Sequence, residues 1–545
     1  MDTQKQMSLG MSAEDFYNSE KSKRTGPVEV ARRLADVTLP SLFPPEQYDH
    51  GDDLEITNQS INAFLINGLA SNLALAAFPP NLPMASFEPR EEELSDDIRE
   101  DPELWSQVTY SMSRLEESHR KRLKLTTARS AYTRCMKLEL VTGNACVLWT
   151  DIDKPRTYNM HRYVVKRDAG GEAIVTVLED SVAFANADDD IRDAATAHWA
   201  RQGKEVSKNE WDEEITIYHV QKLVKKGDTK KWLYWQEVEG GDTVEGSEAW
   251  APYEAPHMYA AGLIPDPESD WYGPYCGDYE GDIQAIENFE SALQDGAAAM
   301  AWFLFFVDPT GQTRIEDVKS ADNLEVLSGK SDDVTVLQTQ KGGDLAAVEK
   351  KTEAIARRLG IAFASRAALQ RSGERVTAEE WQQLTEDLER AMGGLYTEIS
   401  EGPHRWFVNR FIHLHELTNK KLPKLPKDLF EVSIITGIDA IGLSSDHSNL
   451  IGWAKENTEV LGPELFASRV NADDFMLRTA TYRGVKTDGL IKSKEQQEAD
   501  NQKNVQAQQQ QTLLEQGAGP LAKEGAGMMA KLAMAQQEGA SPNEQ

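Results

Sequence analysis

The chain has 545 residues, 27% of them charged and 40% hydrophobic, with a formal net charge of −32. This composition excludes a disordered chain, and the length suits several domains or one elongated subunit. The acidic balance excludes a protein that coats nucleic acid with a basic surface, because phosphate binding needs clustered Lys and Arg.

Residues 1–25 are polar and are expected to be loosely ordered up to Pro27. Val28–Val37 then reads as a helix that starts at Pro27 and stops at Leu39-Pro40. A second helix is expected over Asn58–Phe78 and a third over Ser106–Cys135, the latter with Arg120, Lys121, Arg122 and Lys124. Ile61–Phe78 is mostly apolar, but Asn62, Asn67, Gly68, Ser71 and Asn72 interrupt it and Pro79-Pro80 ends it. That pattern reads as a buried or amphipathic helix, not a membrane span.

From Gly143 the pattern turns to strands. Ala145–Thr150 is β-rich, Tyr158–Arg167 alternates, and Asp168–Gly171 turns the chain into Ala173–Leu178. A second hairpin joins Ile215–Val224 to Lys231–Val238, with a basic turn at Lys222–Lys231 that reads as a solvated tip. The acidic stretches Glu179–Asp193 and Glu237–Glu248 read as solvated loops. A small β module is thus inserted between helical parts.

Tyr259–Pro274 is rich in Pro and Gly and marks a boundary. A long helix is expected over Gly277–Val307, with Ile283, Ile286, Phe289 and Leu293 at helical spacing and Trp302–Phe306 at its end. Short strands such as Val334–Leu337 follow, and Gly342-Gly343 ends them. The helix over Asp344–Leu369 puts Val348, Ile355, Leu359 and Phe363 on one stripe and Lys350 and Arg357 on the opposite face.

Next comes Arg371-Ser372-Gly373-Glu374-Arg375, a charged loop that runs into Thr377 and Glu380. Those two form a capping box, so a helix starts sharply at Thr377. Its stripe is Trp381, Leu384, Leu388, Met392, Leu395 and Ile399. Gly393-Gly394 weakens it, Gly402-Pro403 breaks it, and Trp406–Leu417 resumes. Leu422–Pro426 is a linker, Asp446–Glu459 and Glu464–Arg483 read as short helices, and the stretch from Lys494 is low in complexity.

Catalytic spacings are missing. The chain has no GxxxxGK[ST], no GxSxG and no HExxH. His413 and His415 lie two apart on a helix and point in different directions, which suits packing rather than metal binding. Asp151, Asp153 and Asp188–Asp190 are common loop acids without further ligands nearby. Cys135, Cys146 and Cys276 form no CxxC pair and read as structural thiols of a reducing compartment. MDTQKQMSLG shows no signal-peptide pattern. No enzyme activity, metal or cofactor is expected. Two amphipathic helices that leave the body and return need a surface to pack on, and neighbouring copies are the economical one.

This order of elements resembles the head-to-tail connector, or portal, proteins of short-tailed, podovirus-type bacteriophages. The residues that carry the resemblance are Ala31-Arg-Arg-Leu34, Thr38-Leu-Pro40, Pro44-Pro45, Gly68-Leu-Ala70-Ser71 and Ala77-Phe78-Pro79-Pro80. Further along they are Tyr163-Val-Val165, Arg167-Asp168, Gly171, Tyr272-Gly273, Arg371–Glu380, Gly393–Tyr396, Thr436-Gly437 and Ala440–Gly442. Each is weak alone; their order is specific. The match runs from about residue 27 to about residue 490.

The resemblance implies a mainly α fold with a small inserted β module, α+β in class, assembled as a homo-dodecamer ring. It implies a flexible N-terminus over 1–26, a wing over 27–265, stem helix 1 over 266–306 and a clip over 307–341. Stem helix 2 then covers 342–369, a channel loop 370–376, the long wing helix 377–416, the crown 417–500 and a low-complexity tail 501–545. It also implies a channel for double-stranded DNA at one capsid vertex of the virion, assembled in the host cytoplasm. Arg371–Arg375 would be its loop, and Lys350 and Arg357 its channel-facing stem cations. The implied partners are the terminase motor, tail adaptor, scaffolding, major capsid and internal core proteins. The competing expectations are a metal-dependent nuclease or hydrolase using the aspartates, and a membrane-associated assembly protein using Ile61–Phe78.

Overall fold

A computed structural model describes residues 7–479 except 8, 50, 79–83, 91–101, 205–210, 212, 228, 302–303, 322–325, 327, 338–341, 365–393, 421–429, 435–449, 471, 473–474 and 477–478. The chain divides into a unit over Met1–Ile451 and a second over Gly452–Gln545.

The larger unit opens with helices α1 (Ala13–Lys21), α2 (Thr25–Asp36) and α3 (Ile61–Ala77), strand β1 (Ala85–Pro89), and helices α4 (Pro102–Leu123) and α5 (Ala128–Thr142). Strands β2 (Asn144–Leu148), β3 (Arg156–Tyr158), β4 (Tyr163–Arg167) and β5 (Ala173–Ala183) follow, then α6 (Asp189–Gln202). The β module continues with β6 (Glu214–Lys226), β7 (Thr229–Val238), β8 (Ala249–Pro252) and β9 (Met258–Gly262). Then come α7 (Glu280–Met300), β10 (Leu304–Val307), α8 (Ile315–Ser320), β11 (Val334–Leu337) and α9 (Gly342–Ala362). The unit ends with α10 (Leu395–Ile399), α11 (Arg405–Thr418) and β12 (Phe430–Ile434). In the second unit, α12 spans Pro463–Arg469, and the rings of Trp453 and Phe466 lie 5.7 Å apart.

The fold is a mixture of helices and small antiparallel sheets. Strands β4-β5-β6-β7-β8 form one sheet in sequence order, β3-β2-β9 a second, and β10-β11 and β1-β12 two pairs. Period-two alternation gives the five-stranded sheet two buried faces. Val164, Val177, Tyr218, Val220, Leu233 and Trp235 pack against Tyr17 of α1 on one side. Tyr163, Val165, Leu178 and Tyr234 join the main core on the other. That core is built from α2, α3 and α5 together with α11, whose Trp406, Phe407 and Phe411 surround Trp149.

Several sequence expectations are corrected. Residues 13–24 are ordered: Ser12 caps α1, the Ala13 N–H donates to Glu237, and the Tyr17 hydroxyl donates to the His161 carbonyl. The buried Arg24 guanidinium donates to the carbonyls of Tyr163 and His161. These tertiary bonds order a segment whose composition is that of a tail. The expected Ser106–Cys135 helix is two helices, broken where the Thr127 N–H leaves the helical ladder for the Asp153 carbonyl. Tyr158–Arg167 is split by a 3₁₀ turn at Met160–Arg162.

Glu179–Asp193 is not a loop, since β5 continues to Ala183 and α6 begins at Asp189. Helix α7 stops at Met300, and Leu304–Val307 is a strand paired with Val334–Leu337, so apolar residues there serve a sheet. Gly402-Pro403 does not end the helix; Ser400–His404 is a π turn that joins α10 to α11. The capped helix start at Thr377 and the linker at Leu422–Pro426 lie outside the described residues.

Arg410, 1% exposed, makes a buried polar contact in the body. Its Nε donates to the Trp149 carbonyl at 2.8 Å and a terminal nitrogen to the Ala255 carbonyl at 3.1 Å. Burial pulls its pKa down to about 9, which still leaves it charged at neutral pH. Two carbonyls therefore hold a buried cation and fix α11 to the β module. Arg410→Met is expected to lower stability by about 3 kcal/mol, because it strands two buried carbonyls. A fall in melting temperature and faster proteolysis are the readouts, with Arg410→Lys intermediate.

The core also holds neutral histidines. His119 and His415 share an Nδ1–Nδ1 hydrogen bond of 2.9 Å between α4 and α11. Desolvation lowers His119 to about 3 and His257 to about 2, and it lowers His161 to about 4. The unfolded chain binds protons at these groups near pH 6.5, so it gains protons first and stability falls as the pH drops below that value. Glu139 runs oppositely: burial raises it to about 8, so its contribution is lost as the pH climbs from about 4.5 to 8. Melting temperature is expected to fall from pH 6.5 to 5, and His257→Phe to flatten that fall. An equally steep fall in the variant contradicts the assignment.

Candidate nucleic-acid interface

The helices that bear the candidate cations leave the body as an antiparallel pair, α7 out and α9 back. Their root is tied down by polar contacts. The Asn62 amide donates to the Ile283 carbonyl at 3.3 Å and to the Val37 carbonyl at 3.0 Å. Glu287 accepts from the backbone and side chain of Asn58 and from Gln59, at 2.7–3.1 Å. Arg33 pairs with Glu280, and the Tyr275 hydroxyl donates to the Ala362 carbonyl at 2.8 Å. Tyr275, Tyr279 and Phe363 form a ring cluster beneath them.

Within the pair, Ile355 and Leu359 of α9 and Ile283 and Ile286 of α7 are buried near the root. Farther out, Gly296 faces the Leu345 side chain, and a Cβ there would lie 2.7 Å from a Leu345 methyl, which would have to turn aside. Arg358 bridges to Asp282 with bonds of 3.2 and 2.7 Å, and the Lys351 ammonium sits 5.9 Å from the Phe289 ring centre. Both cations thus serve the pair itself.

Lys350 and Arg357 differ. Both are exposed, and among the described residues neither has a carboxylate partner. Seven residues apart, they share a helix face at a rise of roughly 10 Å. Arg371, Ser372, Gly373, Glu374 and Arg375 lie outside the described residues. Before that segment, Ala364 takes φ +46°, a left-handed turn in a fully buried non-glycine residue. Such a turn costs about 1 kcal/mol and redirects the chain at the end of α9.

The other sequence candidates have local duties. Asp153 pairs with Arg122, Asp151 accepts the Asp153 N–H, and Asp189 pairs with Arg192. Among the described residues, no three metal-ligating side chains converge. Helix α3 is a core element, with Leu65, Ile66, Leu69 and Leu73 buried, and no helix among the described residues is long and apolar enough to cross a membrane. The root anchors were not singled out from sequence. Their signal was the polar trio Asn58, Gln59 and Asn62 beside an apolar run.

The family model of bacteriophage head to tail connecting proteins matches residues 12–491. The chain belongs to that family. The portal protein of Enterobacteria phage T3 is 30% identical over 484 residues, covering 86% of each chain. That of Escherichia phage T7 is 29% identical over 501 residues, covering 89% of each. The portal protein of Enterobacteria phage SP6 is 25% identical over 447 residues, covering 81% of this chain and 82% of that one. Among solved structures, a chain from the virion of a native gene transfer agent particle aligns with a TM-score of 0.37 at 10% identity, covering 83% of this chain and 92% of that chain. That score is too low to inform the fold.

The root bonds give a direct expectation. Glu287→Ala removes one acceptor of three donors and is expected to cost about 2 kcal/mol. Hydrogen exchange should speed up in α7 near the root while α5 stays protected.

Proposed function

We propose that this phage portal works as a homo-dodecamer ring at one capsid vertex, with double-stranded DNA passing through its centre during packaging and ejection. The observation that carries the reading is family membership over residues 12–491, joined to a helix pair whose root is tied to its own body. In this reading α7 and α9 are the stem, the β10–β11 pair and α8 belong to the clip, and the five- and three-stranded sheets and α11 build the wing. The crown covers 417–500. The portal is a structural part of the virion, assembled in the host cytoplasm. Scaffolding, major capsid and internal core proteins surround it, and the terminase motor and the tail adaptor dock on it.

The charge suits a channel that DNA slides through. A subunit of net charge −32, repeated round a ring, repels phosphate and prevents sticking. Arg371 and Arg375 in the channel loop, with Lys350 and Arg357 on α9, then supply brief phosphate contacts without sequence readout. Hydrolysis of ATP comes from the motor, because the chain has no phosphate-cradling loop.

Arg371→Ala and Arg375→Ala are expected to leave assembly intact and to lower the DNA retained per capsid. Measured DNA content equal to wild type in both variants removes the loop from the mechanism. Deleting 501–545 is expected to leave the oligomer unchanged in sedimentation, and its loss makes the tail structural.

A further inference from the structure

We propose that the five-stranded module is a plug and socket between adjacent copies: the lysine-rich β6–β7 tip of one copy docks in the acidic cavity at the far end of the next copy's module. The inference rests on the ring reading.

The plug is built to repel itself. Lys222, Lys225, Lys226, Lys230 and Lys231 fall within ten residues of a chain whose net charge is −32. The register sets Lys225 directly opposite Lys230, and like charges so placed destabilise a hairpin. Glu172 relieves Lys230 at 3.0 Å. Lys225 and Lys231 are exposed and have no carboxylate partner among the described residues. An acidic surface brought to this tip removes the repulsion.

The socket lies at the other end of the same strands. The β7–β8 connection carries Glu239, Asp242, Glu245 and Glu248. Asp242 is taken by Arg201, whereas Glu239, Glu245 and Glu248 are exposed with no cation partner among the described residues. With Met7, Met11 and Ser12, this connection walls a cavity of about 900 Å³. Glu237, buried at its edge, is locked by the Ala13 N–H and the Trp235 indole N–H. Gly240, Gly241 and Gly246 all take positive φ, which fixes the shape of the rim.

The two ends cannot meet in one copy. Thr229–Val238 separates them, roughly 30 Å at the rise of a strand. Opposite charges at opposite ends make a heterologous contact, the kind that closes a ring.

The test is zero-length carbodiimide coupling of the full chain, assembled from mixed light and heavy isotopic copies, with the links mapped by mass spectrometry. Light-to-heavy links from Lys225 or Lys231 to Glu245 or Glu248 are expected. The pair Lys225→Glu/Lys231→Glu should lower the ring-to-monomer ratio at least tenfold, as should Glu245→Lys/Glu248→Lys. Combining all four should restore it. Each variant should melt no lower than wild type does, since all four side chains are exposed. Wild-type rings with unaltered assembly in both reversals overturn this inference and leave the ring reading standing. Links from Glu245 or Glu248 to Lys5 of the same copy overturn it too, by filling the cavity from within. A wild-type chain that forms no rings overturns the ring reading itself.

Discussion

Anchoring of the α7/α9 pair at its root governs the rest of this subunit. Its root is held by Asn62 on the Ile283 carbonyl, by Glu287 on Asn58 and Gln59, and by the Arg33–Glu280 pair. The outer turns carry exposed Ala297, Ala298 and Ala299 on α7 and Ala346 and Ala347 on α9. Two helices that bury so little of each other are marginal in water. The fold therefore supplies half of a packing arrangement, and in the proposed ring copies of the same chain supply the rest.

A projecting pair needs a stiff base, and the body provides one through buried polar contacts. Arg410 joins α11 to the carbonyls of Trp149 and Ala255, and Arg24 joins the start of α2 to those of Tyr163 and His161. Backbone oxygens hold both cations, with Glu46 also paired to Arg24, so loss of either leaves carbonyls stranded in the core. Burial also packs His119 and His257 as neutral rings, from which the expected loss of stability in acid follows.

Much of the architecture was legible because periodicity is local. The hairpins β4–β5 and β6–β7, the core helix α3 and the stripe Ile355, Leu359 and Phe363 all follow from spacing. Two of the misses share a cause: a tertiary bond overrode composition. Residues 13–24 look like a tail until Glu237 accepts from Ala13, and the break before α5 is made by the Asp153 carbonyl, 26 residues from Thr127. Gly402-Pro403 reads as a stop, yet a π turn absorbs it. At the candidate site, spacing separated Lys350 and Arg357 from the apolar stripe. It did not separate them from Lys351 and Arg358, whose duties depend on Phe289 and Asp282 across the pair.

The central claim is that this chain is complete only as a ring. Single-particle imaging of the purified full-length protein, without capsid or tail, tests it most directly. The account predicts twelve-fold rings with a central hole and with the helix pairs packed side by side around it. A monodisperse monomer across the concentrations at which the protein is soluble contradicts it.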